Sequence, residues 1–137
     1  MFLFAQALGS GSHSKPLWLS SVRGAKDAIP LGEVTVTHYS HEDDDGIWGR
    51  WTASGHILTD YDAGRVCAVS RDWWKSLIKE GDSIWVEGYA EPCQALDTMA
   101  FHNSNGMHQT RWIDIYDPDV ESAREFGLKT ARAYLIK

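Results

Sequence analysis

The alternation of apolar and polar positions predicts the architecture before any composition is counted. Residues 33–40, EVTVTHYS, change character at every second position. A period of two is that of a half-buried strand, which puts Val34, Val36 and His38 on one face and Thr35, Thr37 and Tyr39 on the other. Shorter strand-like runs follow at TASGHIL, RVCAVS, SIWVEGY, QALDTM, RWIDIYD and KTARAYLI, separated by turn-forming residues. RDWWKSLIKEGD reads as one or two helical turns closed at Gly81, and HEDDDGIWGRW as a loop. The clearest helix is VESAREF, with Asp117 placed to cap it, Pro118 at the first helical position and Gly127 beyond the last turn. Many short strands with one helix near the carboxyl terminus predict a mainly β fold, a small barrel rather than an α/β sheet.

Composition narrows this picture to one domain. A chain of 137 residues, 43% apolar, buries a single core. Residues 1–32 are irregular and Gly/Ser-rich at 9–14, so they read as an amino-terminal extension that docks on something. The folded module is expected over 33–137. The opening MFLFAQALGSGS is apolar but lacks the basic segment of a signal peptide; a degenerate secretion signal is the alternative to a docking strand. No apolar run is long enough to span a bilayer. A net charge of −6 with scattered Lys and Arg argues against a nucleic-acid partner, because phosphate binding needs a basic stripe. Cys67 and Cys93 are either one disulfide, contributing about 3–4 kcal/mol on the chain-entropy model, or two buried thiols.

The candidate chemistry lies in two acids at positions that usually carry apolar residues. Asp97 in ALDTM and Asp114 in RWIDIYDPD both sit in strand-like segments, although strands are depleted in Asp. Two acids on a β scaffold suit glycosidic-bond chemistry; the alternative is a structural pairing with Arg111 or Arg124. Trp48 and Trp51 flank a Gly-containing loop and are candidate platforms for sugar faces, or packing residues. Thr52, Ser54 and His56 are candidate hydrogen-bonding partners of a substrate, and His102 and His108 lie in the loop between the aspartates. His38 and His41, followed by Glu42 and Asp43–Asp45, are three apart and point to opposite faces of a strand. The acids are read as a solvated loop, and neither a metal nor a cofactor is expected.

With these residues laid out, the chain resembles the 3D domain family. The segments VTVTHYS, WTASGH, RVCAVSRDWW, VEGYAEPC, ALDTM, WIDIY and AREFG occur in that family's order, over residues 33–136. The family is named for its aspartates and occurs in membrane-bound lytic transglycosylase A and in small bacterial and phage muralytic proteins. The resemblance implies a six-stranded double-psi β-barrel, similar in shape to the expansins. It implies that Asp114 is the catalytic acid, that Asp97 opens the family's D-T-G-G segment, and that Thr37 and Tyr39 line the groove. Two departures stand out. Ser70 occupies the place of the family's third aspartate, with Asp72 two residues on, and Thr98-Met99-Ala100 replaces the segment with the glycine pair.

The implied activity is that of a lytic transglycosylase acting on peptidoglycan glycan strands. One acid protonates the oxygen of the MurNAc–GlcNAc bond, and its carboxylate then helps the sugar's own 6-hydroxyl attack the anomeric carbon. Asp114 must then begin protonated, and desolvation by Trp112, Ile113 and Ile115 together with an ionised Asp97 is expected to raise its pKa. The site of action is the cell wall, periplasmic or virion-associated. Without an export signal, delivery through a larger assembly such as a phage particle is expected, with residues 1–32 contacting its other subunits. A non-catalytic, expansin-like glycan-binding barrel is the alternative.

Overall fold

In the computed structural model the described residues are 27–43, 48–100, 106 and 108–137, with backbone only for Asp43 and Trp48. The docking segment up to residue 26, the acids at 44 and 45, His102 and the Trp48 ring lie outside them. Among the described residues there are six strands: β1 Ile29–Tyr39, β2 Val66–Val69, β3 Ser83–Val86, β4 Cys93–Thr98, β5 Trp112–Tyr116 and β6 Lys129–Ile136. They close into a barrel in the order β1-β5-β2-β4-β3-β6, and β6 pairs back onto β1. The β1–β5 and β2–β4 pairings are parallel and the remaining four are antiparallel. One short helix, α1 Val120–Phe126, precedes β6. The fold is therefore mainly β, a closed six-stranded barrel with a short helix near the carboxyl terminus, as the alternating pattern and the resemblance implied.

The alternation sorts each strand into an inner and an outer face. Val34 and Val36 of β1, Cys67 and Val69 of β2, Ile84 and Val86 of β3, and Ile113 and Ile115 of β5 fill the interior with Ala133 and Leu135 of β6. Ile84, Ile113 and Leu135 are fully buried, each stabilising the fold by about 1.5–3 kcal/mol relative to exposure. Cys67 and Cys93 form a disulfide inside this core, with Cα atoms 5.7 Å apart. It ties β2 to β4 on their inner faces.

Strand β1 begins at Ile29, upstream of the expected start at Glu33, because Ile29–Gly32 extends the pairing with β6 through a bulge. Gly32 is required there. Its φ is +79°, and a Cβ would meet the Arg111 guanidinium at 3.0 Å. Arg111 donates from Nη2 to the carbonyls of Leu31 (2.7 Å) and Glu33 (3.1 Å), so it secures the bulge.

Three local expectations are corrected. RDWWKSLIKEGD forms turns with a Trp74–Ile78 bridge, because Lys75 adopts φ 64° and the buried Trp73 and Ile78 draw the chain back on itself. TASGHIL forms a tight turn, with the Thr52 N–H donating to the His56 carbonyl and the Gly55 N–H to the Thr52 carbonyl; only a Trp51–Ile57 bridge is strand-like. The residue capping α1 is Asp119 rather than Asp117. Its carboxylate accepts from the N–H groups of Glu121 and Ser122, while Asp117 accepts from Asp119 N–H one turn earlier.

Candidate active site

Both aspartates reach the outer face of the barrel wall, and they do so by different means. On β5, Asp114 lies between inward Ile113 and Ile115, so simple alternation points it outward. On β4 alternation alone would fail. Cys67 of β2 pairs with Ala95, but the next residue, Ala68, pairs with Asp97, so Leu96 is an extra residue in the ladder. This bulge turns Leu96 and Asp97 to the same outer face. The sequence does not announce it.

The register then builds a row. Thr37 of β1 pairs with Asp114, Asp114 with Ala68, and Ala68 with Asp97. Directly opposed residues share a face, so all four side chains project from one line across four strands. Two strand spacings, about 9.5 Å in all, separate the backbones of the two acids. Ala68 is the residue between them, buried with Met99 and Trp112 and with Tyr39 packed against the group.

Each carboxylate accepts hydrogen bonds from hydroxyl or backbone N–H donors. The Thr37 hydroxyl donates to Asp114 Oδ1 at 2.9 Å and accepts the Trp112 indole N–H at 2.8 Å. That chain fixes the hydroxyl hydrogen toward Asp114, and a donor polarised in this way binds more strongly. Asp97 Oδ1 accepts from the backbone N–H of Ala53 and of Thr98, both at 2.9 Å. Burial pushes the Asp97 carboxyl above its ordinary range, although these two N–H groups and the Tyr39 hydroxyl pull it down. The cause of that shift is desolvation.

The other candidate residues divide. Tyr39 is outward on β1, packs edge-on to Tyr116 with ring centres 5.5 Å apart, and acts on Asp97. Thr52 and Ser54 are committed to their own turn: their hydroxyls are 2.9 Å apart, and Thr52 Oγ1 also accepts the His56 N–H. The same turn delivers Ala53 N–H to Asp97 and Ser54 N–H to the Leu96 carbonyl. His56 pairs with Asp62 at 3.0 Å. Trp51 is half exposed at the mouth of the turn, bridged to Ile57.

Ser70, Asp72 and Met99, noted in the sequence as departures from the resembled pattern, have structural roles. Ser70 is fully buried; its hydroxyl accepts the Trp112 N–H, and its carbonyl accepts the Trp73 and Trp74 N–H groups. Asp72 is exposed and accepts the Arg111 N–H at 3.2 Å. Met99 is buried against Ala68 and Trp112, beside the row. Trp112 is expected beside Asp114 and Met99 in the altered segment after Asp97, whereas nothing in the sequence marks Ala68. Their small, indole and thioether side chains read as packing residues, and only the register brings them to the carboxylates.

His38 and His41 belong to the packing of one barrel end. His38 stacks on Phe126 with ring centres 3.7 Å apart, and its Nε2 lies 2.6 Å from the Tyr89 hydroxyl. His41 Nδ1 lies 2.7 Å from the Tyr116 hydroxyl. Among the described residues no three His, Cys, Asp or Glu side chains are grouped to hold a metal ion. No described helix is long and apolar enough to cross a membrane.

No model of a known protein family matches the chain, and no curated protein matches it either.

Proposed function

We propose that the outer wall formed by β1, β5, β2 and β4 binds peptidoglycan glycan strands and cleaves the MurNAc–GlcNAc bond as a lytic transglycosylase. The observation that carries this reading is the Thr37–Asp114–Ala68–Asp97 row, two carboxyl groups on one face of the barrel wall, two strands apart. Asp114 is assigned as the acid and later the base, in line with the resemblance of WIDIY to the 3D domain family. The Thr37 hydroxyl orients the carboxyl group through Oδ1, and the acid delivers its proton to the glycosidic oxygen. One carboxyl group serving both steps needs no second nucleophile, unlike the usual two-carboxylate scheme. Asp97, desolvated and more easily protonated than an ordinary aspartate, donates a hydrogen bond to the sugar when it carries its proton. Action at the cell wall, with delivery through a larger assembly such as a phage particle, belongs to the same proposal.

A second reading is favoured by Met99. Its side chain packs against Ala68, the residue between the acids, which suits an expansin-like barrel that binds glycan without cutting it. Digestion of purified peptidoglycan with the whole chain, followed by mass spectrometry of the soluble products, separates the two. Products with 1,6-anhydromuramyl ends are expected. Reducing ends would indicate hydrolysis, and undigested glycan that carries the protein into the pellet would support the binding barrel.

A further inference from the structure

A cleft of about 250 Å³ opens on the same outer face, one step along β4 from Asp97. Gln94 and Leu96 of β4, with Val66 of β2, form its floor, and His56, Tyr61, Asp62 and Arg65 stand around it. Its volume is below the roughly 300–1,000 Å³ of drug-sized sites, so it suits one ring rather than two.

The cleft and the aspartate row share their construction. The β4 bulge turns Leu96 into the cleft floor and Asp97 into the row. The turn at 52–56 spans both, because Ala53 binds Asp97 while His56 lines the cleft. A chain lying over that turn would meet both places.

The lining chemistry selects the ligand class. Arg65 is already tied to Glu91 at 2.7 Å and lies over the Tyr61 ring at 4.7 Å, and Asp62 stands in the same cleft, so no net positive charge awaits an anion. Asp62 Oδ2 takes three donors, the His56 ring, the Thr59 N–H and the Thr59 hydroxyl. Among the described residues none falls on Oδ1, which can accept from a ligand. With Nε2–H donated to Asp62, the His56 Nδ1 is an acceptor. Gln94 adds a carboxamide with both a donor and an acceptor. Leu96, Val66 and the exposed Tyr61 supply apolar surface. Mixed donors and acceptors without net charge, over an apolar floor with an aromatic edge, match a neutral polyol ring.

We infer that this cleft is a single-sugar subsite for an uncharged N-acetylhexosamine residue, next along the glycan from the sugars over the aspartate row. The inference rests on the reading of the wall as a glycan-binding surface, but not on catalysis. It is tested by titrating the whole chain with chitotriose, a neutral N-acetylglucosamine trimer, and following backbone amide resonances. Saturable shifts at His56, Tyr61, Gln94 and Leu96 are expected. Tyr61→Ala and Gln94→Ala, both at exposed positions, are each expected to weaken binding about tenfold, close to 1.4 kcal/mol, with their spectra otherwise native. Asp114→Asn is expected to keep the cleft shifts. Shifts confined to residues around Asp97 and Asp114, or unchanged affinity in both cleft variants, would overturn the inference. Cleft shifts in a protein that releases no glycan fragments would uphold this subsite while removing the enzyme reading. Cleavage with a KM for glycan unaffected by either cleft variant would do the reverse.

Discussion

The barrel holds its acids in two ways: ion-paired at strand ends, Arg65–Glu91 beside the row included, and hydrogen-bonded within the row. On the side formed by β3 and β6, acids meet cations: Glu87 lies 2.8 Å from Arg132, and Asp82 lies 3.0 Å from Lys137. On the side formed by β5, β2 and β4, Asp114 accepts from a threonine hydroxyl and Asp97 from two backbone N–H groups. A carboxylate beside a cation is held in its charged form, whereas one buried among neutral donors can change protonation at modest cost. Proton transfer needs the second kind. The same six strands thus carry acids that staple the fold and acids fit for chemistry.

The largest expected effect breaks this contrast at its active end. Asp114→Asn should lower glycan cleavage by about 100- to 10,000-fold, the range for loss of a general acid, while Glu87→Gln should leave the rate within about twofold. Fragment release by the two variants at matched concentration measures the difference, and equal losses would remove the distinction between the walls.

Next comes the link behind the active wall. Replacing Cys67 and Cys93 together with alanine removes the cross-link between β2 and β4 and should cost about 3–4 kcal/mol of stability. Chemical denaturation reads this directly. A cost under about 1 kcal/mol would mean that the strand ladder alone holds the row.

A smaller effect is expected at the row's first member. Thr37→Val leaves the Trp112 indole N–H without this acceptor and removes the donor to Asp114, a loss of about 1–3 kcal/mol. Thr37→Ser should restore most of it, because it returns the hydroxyl. Failure of serine to rescue would assign the role to the threonine methyl group.

The smallest effect sharpens the comparison through pH. The Asp97 pKa is raised in the folded state, so the native protein binds the proton more tightly than the unfolded chain. Its contribution to stability is then fully present below the ordinary aspartate pKa and is lost as pH rises through the folded value. Asp97→Asn keeps an oxygen for the Ala53 and Thr98 N–H groups and removes that loss. The variant should melt at a slightly higher temperature than the wild type at pH 7, and the gap should close below about pH 4. A lower melting temperature at pH 7 would mean that the charged form is the better fitted one.

Much of the barrel was legible because one-sided burial writes itself as alternation. Val34, Val36, Ile113 and Ile115 face inward while Thr37, Tyr39 and Asp114 face outward, as a period of two requires. The bulge at Leu96 was not legible, because a residue inserted into a ladder changes pairing without changing composition. Without it Asp97 would turn toward the core. The turn after Trp73 was missed for a related reason: WWKSLIK has helical propensity, and the positive φ of Lys75 is set by the burial of Trp73 and Ile78 rather than by local sequence. Asp119 was passed over as the helix cap because Asp117, two residues earlier, offers the same chemistry next to Pro118. The sequence marks His56 as a candidate substrate partner, and its pairing with Asp62, which the sequence does not show, puts it in the neighbouring cleft. Sequence located the acids; register made them a row.

The central claim is that the two aspartates of that row are unequal, Asp114 making and breaking the bond and Asp97 assisting. The most direct measurement counts 1,6-anhydromuramyl ends released from purified peptidoglycan by the wild type, Asp114→Asn and Asp97→Asn under identical conditions. The account predicts abundant ends from the wild type, essentially none from Asp114→Asn, and a reduced but measurable yield from Asp97→Asn. A wild-type yield retained by Asp114→Asn and abolished in Asp97→Asn would contradict it and transfer the acid to the bulged strand.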